Sequence, residues 1–188
     1  MKGYIVTEGE WDAALLRTLL EPELAQSIRV VAAGGRSSVV SYATSILVSK
    51  RVPVALVLDA DTVDAAAVRS QERVIYDLVR AAAYRTPFRL FLMVPQLETV
   101  LFRDVEVLSH LAGVEVGQQD LREAEVRPNQ VLDELLLHSP QVKTREALLT
   151  RIDAGTAARI RLDPLLSDLF QFVRRPTVWD PWNSAGAA

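Results

Sequence analysis

An open, mainly parallel α/β sheet of four strands flanked by helices, continued into a helical C-terminal extension, is the fold class this sequence predicts. Three observations carry it. Short β-prone runs alternate four times with stretches whose apolar residues recur at helical spacing. The third run, Val54 to Leu58, is apolar without interruption, as a strand buried on both faces of a parallel sheet must be. Beyond Pro95 the helical period alone remains. Units of this kind close with right-handed crossovers, which gather functional residues at the carboxyl ends of the strands.

Lys2 to Thr7, with Tyr4, Ile5 and Val6 at its centre, forms the first strand and breaks at Glu8-Gly9 into a helix with Leu15, Leu16, Leu19 and Leu20 on one side. Ile28 to Ala33 is the second strand; it stops at Gly34-Gly35, after which Val39, Val40, Ala43, Ile46 and Leu47 repeat helically. Pro53 opens the third strand, which ends in Asp59-Ala60-Asp61. Thr62 is placed to cap a long helix reaching about Tyr84. Thr86-Pro87 then leads into a fourth strand, Phe88 to Val94, closed by Pro95. Helical spacing follows over Leu97 to Leu111, Val131 to Leu137, Ala147 to Ile152 and Leu165 to Val173. The resulting division is an α/β domain over 1–102, a helical extension packed on it over 103–175, and a flexible tail over 176–188.

Composition narrows the chemistry. Of 188 residues, 49% are hydrophobic and 24% charged, enough apolar surface to form a core and too little net charge for disorder. Lys and Arg number 21 against 24 Asp and Glu, so a globally basic nucleic-acid coat is excluded. Residues 141–175 carry seven basic and four acidic groups, which places any polyanion affinity in the C-terminal part. No apolar run is long enough to span a membrane, and Lys2, Glu8, Glu10 and Asp12 do not read as a secretory leader, so the cytoplasm is the expected compartment. There is no cysteine and there are only two histidines, His110 and His138, which rules out thiolate and His-rich metal sites. Any metal must be held by oxygen. Trp11, Trp179 and Trp182 suit packing or a partner surface.

The acids sit at strand ends. Glu8 follows the first strand, Asp12 lies one turn along the first helix, and Asp59 and Asp61 close the third strand. In an extended segment Asp59 and Asp61 would point the same way, and two such charges are relieved by sharing a divalent cation. Carboxylates without His or Cys suit Mg²⁺ or Mn²⁺. Each acid also has a plainer role: Glu8 and Asp12 suit the positive end of a helix dipole, and Asp59 and Asp61 suit helix capping.

The run Val6-Thr7-Glu8-Gly9 through Asp12, then Ala33-Gly34-Gly35, then Leu58-Asp59-Ala60-Asp61-Thr62, resembles the topoisomerase-primase (Toprim) domain over about residues 2–102. The Glu8-to-Asp12 spacing is similar to its nuclease-type members, including the overcoming-lysogenization-defect family and the 5S ribosomal RNA maturases. Glu98, after the fourth strand, stands where those members place a further acid. The resemblance implies a Mg²⁺- or Mn²⁺-dependent nuclease acting on DNA or RNA, of a kind found in defence or mobile-element systems. Glu8, Asp59 and Asp61 would be catalytic; Glu8, Asp12, Asp59, Asp61 and Glu98 would hold metal; Gly9, Gly34, Gly35 and Arg36 would contact phosphate. The chain shows no nucleotide-binding phosphate loop, so an ATPase, where one is needed, would be a separate protein. Asp59-Ala60-Asp61-Thr62-Val63 also satisfies the aspartate-nucleophile pattern of haloacid-dehalogenase-like phosphatases, although that motif normally follows the first strand. A third reading is a non-catalytic Toprim-like binding module.

Overall fold

The computed structural model describes residues 2–178; Trp179, Trp182 and most of the tail expected from residue 176 lie outside the described residues. Four strands, β1 (Gly3–Thr7), β2 (Ile28–Ala32), β3 (Val54–Asp59) and β4 (Phe88–Met93), form one sheet in the order β2-β1-β3-β4. All pairings are parallel, with Tyr4 opposite Val54, Gly3 opposite Ile28 and Val54 opposite Phe88. The two central strands, β1 and β3, are buried almost throughout, which explains the unbroken apolar run at Val54 to Leu58.

The sheet divides two apolar layers according to the two-residue alternation of strands. Ile5, Ala55, Val57, Phe91 and Met93 face one layer, built with Leu15, Leu16 and Leu19 of α1 (Glu10–Leu19). Tyr4, Val6, Val54, Leu56, Leu58 and Leu90 face the other. That second layer is covered by α3 (Arg36–Ser49), through Val39, Ala43, Ile46 and Leu47, and by α4 (Ala65–Ala83), through Ile75, Tyr76 and Val79. A short helix, α2 (Pro22–Ala25), with Pro22 at its first position, precedes β2. The chain therefore goes from β1 to β2 on one side and returns past β1 to β3 on the other, with helices on opposite faces. The reversal creates a switch point between β1 and β3, where the two exits diverge above the carboxyl ends, the place at which sheets of this kind bind ligands.

Two boundaries differ from the sequence expectation. Asp61 adopts φ 54, a left-handed turn that postpones the helix, and α4 starts only at Ala65. Its cap is Asp64, whose Oδ1 accepts from the Ala67 N–H at 2.7 Å, while Thr62 Oγ1 accepts from the Asp64 N–H. We predict that Asp64→Ala lowers stability by about 1 kcal/mol, read as a shift of the urea midpoint; an unchanged midpoint would show this cap to be idle. The second difference lies after β4, where the expected helix from Leu97 to Leu111 is two: α5 (Thr99–Phe102) and α6 (Val105–Ala112). Asp104 separates them by accepting from the Val107 N–H at 3.1 Å and capping the second.

The extension continues with α7 (Gln118–Ala124), α8 (Pro128–His138), α9 (Arg145–Leu149), α10 (Ala154–Ile160) and α11 (Pro164–Arg174). Leu108, Leu111, Leu132, Leu148, Leu166 and Leu169 are fully buried in the same layer as α1 and one sheet face, so this core runs without a break across residues 102 and 103. The basic residues of 141–175 act largely as ties within it. Arg159 pairs with Asp104 at 2.7 Å, Arg161 donates to the Leu19 carbonyl at 3.0 Å, Arg151 donates to the His110 carbonyl at 2.9 Å, and Arg174 pairs with Glu21. Among the described residues no helix is long and apolar enough to cross a membrane.

Candidate active site

Glu8 is the first residue beyond β1, and the carboxyl end of that strand delivers it to the switch point. Its Oε1 accepts from the Asp59 N–H at 3.3 Å, which ties the ends of β1 and β3 together. Its carbonyl oxygen accepts from the N–H groups of Gly34 and Gly35 at 3.0 and 3.2 Å. Those two residues have φ 84 and 121, and nothing lies within 4 Å of where a Cβ would stand at either. The glycines are required by backbone conformation, not by a close approach. With their N–H groups engaged by Glu8, they hold the acid's main chain rather than forming an open phosphate cradle. Gly9 is similar: its N–H donates to Asp12 Oδ2 at 3.0 Å, securing the first turn of α1.

Arg36, the first residue of α3, lies across the rim. Its Nε stands 3.7 Å from Glu8 Oε1 and its Nη2 3.3 Å from Asp61 Oδ2. Nη2 also donates to the Asp59 carbonyl, and Nη1 donates to Gln71 Oε1 at 2.8 Å. Gln71 in turn donates to the Ala60 carbonyl at 3.0 Å. One guanidinium therefore braces the turn after β3 and sets a positive charge beside Glu8 and Asp61.

Asp59 and Asp61 do not stand side by side as an extended chain would place them. The strand ends at Asp59, Ala60 is buried, and the left-handed turn at Asp61 sends that side chain outward, where it is 62% exposed. Asp61 is steadied by Arg36 and by Gln96, whose Nε2 donates at 3.1 Å. Asp59 turns inward and accepts from the Leu97 N–H at 2.8 Å. Burial first, then the charges of Asp12 and Glu98, push its carboxyl up to about 8; Asp61 is a smaller influence. Asp12 is raised to about 6, mainly by burial, with Glu98 and Glu8 adding to it against the Gly9 hydrogen bond and Arg145. Burial raises Glu8 as well, and Arg36 partly offsets this. The inner acidic group is therefore Asp59, Asp12 and Glu98, with Glu8 beside it and Asp61 at the outer edge.

Glu98 is the most deeply placed, with its side chain 2% exposed. Its Oε1 accepts from Arg145 Nη1 at 2.5 Å, while Oε2 is buried with no hydrogen-bond partner. A buried carboxylate oxygen without a donor is costly, and a cation is the natural complement. Among the described residues no three acids converge on one point as they stand. That spread suits a hard divalent ion bound through one or two carboxylates with water in its remaining positions. Oxygen-only donors, mutual repulsion and an orphaned oxygen together fit Mg²⁺ or Mn²⁺. Sequence reasoning did not single out Arg145, Gln71 or Gln96. No local signal marks them, because each meets the site only through packing of distant segments.

No protein family matches the sequence, and no curated protein does. Among solved structures, the chain is similar to the C-terminal region of the Burkholderia pseudomallei OLD protein, with a TM-score of 0.55 at 18% identity, covering 92% of this chain and 96% of that one. The C-terminal region of the Xanthomonas campestris pv. campestris OLD protein matches with a TM-score of 0.48 at 17% identity, over 92% of this chain and 95% of that one. The parallel β2-β1-β3-β4 sheet, its two helical layers and its helical extension thus give this chain the Toprim-like α/β fold of the OLD-protein C-terminal region.

Proposed function

We propose that this protein is a divalent-metal-dependent nuclease that hydrolyses phosphodiester bonds in DNA or RNA. The observation that supports the reading is the gathering of Asp59, Asp12, Glu98 and Glu8 near the carboxyl ends of β1 and β3, with Glu8 bonded to the Asp59 N–H and burial pushing Asp59 up to about 8. One or two of Asp59, Asp12 and Glu98 would hold Mg²⁺ or Mn²⁺, with water in its other positions and Glu8 and Asp61 alongside. When bound, the ion supplies Lewis-acid polarisation of the scissile phosphate and neutralises its charge. Arg36 stands where it can exchange its bonds with Glu8 and Asp61 for phosphate oxygens, which its forked geometry suits. Glu8, raised by burial and adjoining the inner acids, is placed to accept or return a proton near the reacting phosphate.

Single- and double-stranded DNA and RNA, each incubated with Mg²⁺ or Mn²⁺, provide the test. We expect cleavage of at least one substrate, its loss on adding EDTA, and its loss in Glu8→Gln with the fold retained. Failure to cleave any substrate, together with failure to bind Mn²⁺, would end this reading.

A further inference from the structure

Arg145 sits at the first turn of α9, far from the Toprim-like motifs, yet its guanidinium reaches the acidic site. Nη1 donates to Glu98 Oε1 at 2.5 Å, Nε to Asp133 Oδ1 at 2.7 Å, and Nη2 to the Asn129 carbonyl and side-chain oxygens at 3.0 and 2.6 Å. The guanidinium carbon also lies 5.1 Å from the centroid of the Trp11 ring, next in sequence to Asp12. One planar group therefore joins α8, the segment after β4 and α1, and every nitrogen that can donate is engaged. The consequence for Glu98 is specific. Oε1 is pinned, the carboxylate cannot rotate freely, and Oε2 is left buried as its one oxygen without a partner, in a carboxylate whose charge acts on both Asp12 and Asp59.

On the reading that this site takes a divalent ion, we propose that Arg145 is a positioning residue: it holds Glu98 with Oε2 free for the cation, so that the helical extension is an integral part of metal capture. A lysine cannot reproduce this, because an ammonium lacks the rigid fork that serves three partners at once. Arg159 is the useful contrast. It ties Asp104 and Glu106 with similar bonds but touches none of the site acids.

Mn²⁺ affinity, measured on the full chain by electron paramagnetic resonance of the free ion, distinguishes positioning from a merely structural tie. We expect Arg145→Gln to weaken Mn²⁺ binding by roughly 10- to 100-fold, the range seen when a residue that orients a ligand is lost. Arg145→Lys, which keeps a cation against the buried Glu98 and so protects the fold, should fall between Arg145→Gln and the parent. Arg159→Gln should bind as the parent does. Parent-like affinity in folded Arg145→Lys and Arg145→Gln would overturn the inference. Asp59→Asn, run alongside, separates the two levels. If it too binds Mn²⁺ normally, the metal reading itself fails; if it loses binding while the Arg145 variants do not, only the role of Arg145 is lost.

Discussion

Asp59→Asn is expected to reduce divalent-cation-dependent cleavage by about a thousand-fold or more and, in metal-free protein at pH 8, to raise the unfolding temperature. Both effects have one cause. Asp59 is held at the end of β3 by the Leu97 N–H, inside a rim that already contains Asp12 and Glu98. Ionising it there costs free energy unless a cation is present, and that cost is what makes the site favourable for one. The asparagine preserves an oxygen that can accept from Leu97 but carries no charge, so the metal-free fold is relieved while the proposed cation would lose a charged ligand. A loss of about a thousand-fold corresponds to roughly 4 kcal/mol of transition-state stabilisation, within the range for removing a charge-stabilising group. Activity and melting temperature are measured on the same preparation. A variant that is both active and less stable at pH 8 would show Asp59 to be an ordinary structural acid.

A second large effect concerns pH. Asp59 is raised from 3.8 to about 8 and Asp12 from 3.8 to about 6, both chiefly by burial. In the metal-free protein these carboxyls keep protons that the unfolded chain releases near pH 4. The native state therefore binds more protons than the unfolded one between about pH 4 and 8, and stability must fall as pH rises through that window. The contribution is fully present below the unfolded value and is lost as pH passes 6 for Asp12 and 8 for Asp59. Its size is on the order of a few kcal/mol. Asp104 and Asp153 are held below their usual range, but they act only at the acid end, where their protonation removes stability as pH drops. Urea midpoints in EDTA at pH 5, 6.5 and 8 should therefore decline steadily. Saturating Mn²⁺ should flatten the decline, because the ion displaces the retained protons. A midpoint that holds or climbs from pH 5 to 8 in EDTA would contradict the proposed crowding of acids.

Much of the scaffold was readable from periodicity. The four strands, the helices covering both sheet faces and the position of Glu8 and Asp59 at strand ends followed from runs of apolar residues and the breaks between them, because burial on both faces leaves a local record. Helical spacing over Leu97 to Leu111 does not show the break between α5 and α6, since Asp104 sets it with a side-chain cap that apolar spacing does not reveal. Asp59-Ala60-Asp61 looked like a matched pair because alternation was extended one residue too far. A left-handed turn at Asp61 separates the two side chains.

The sequence by itself determined the strand and helix order, the absence of any thiolate and the end of the sheet at which the acids collect. Only the tertiary structure decided which acids are neighbours, that Arg36 neutralises the outer rim, and that Arg145, 47 residues beyond Glu98, reaches that buried carboxylate. The physical reason is that periodicity records which side of an element is buried. The meeting of two long polar side chains depends instead on how separate elements pack, and no residue near either one in sequence carries that information.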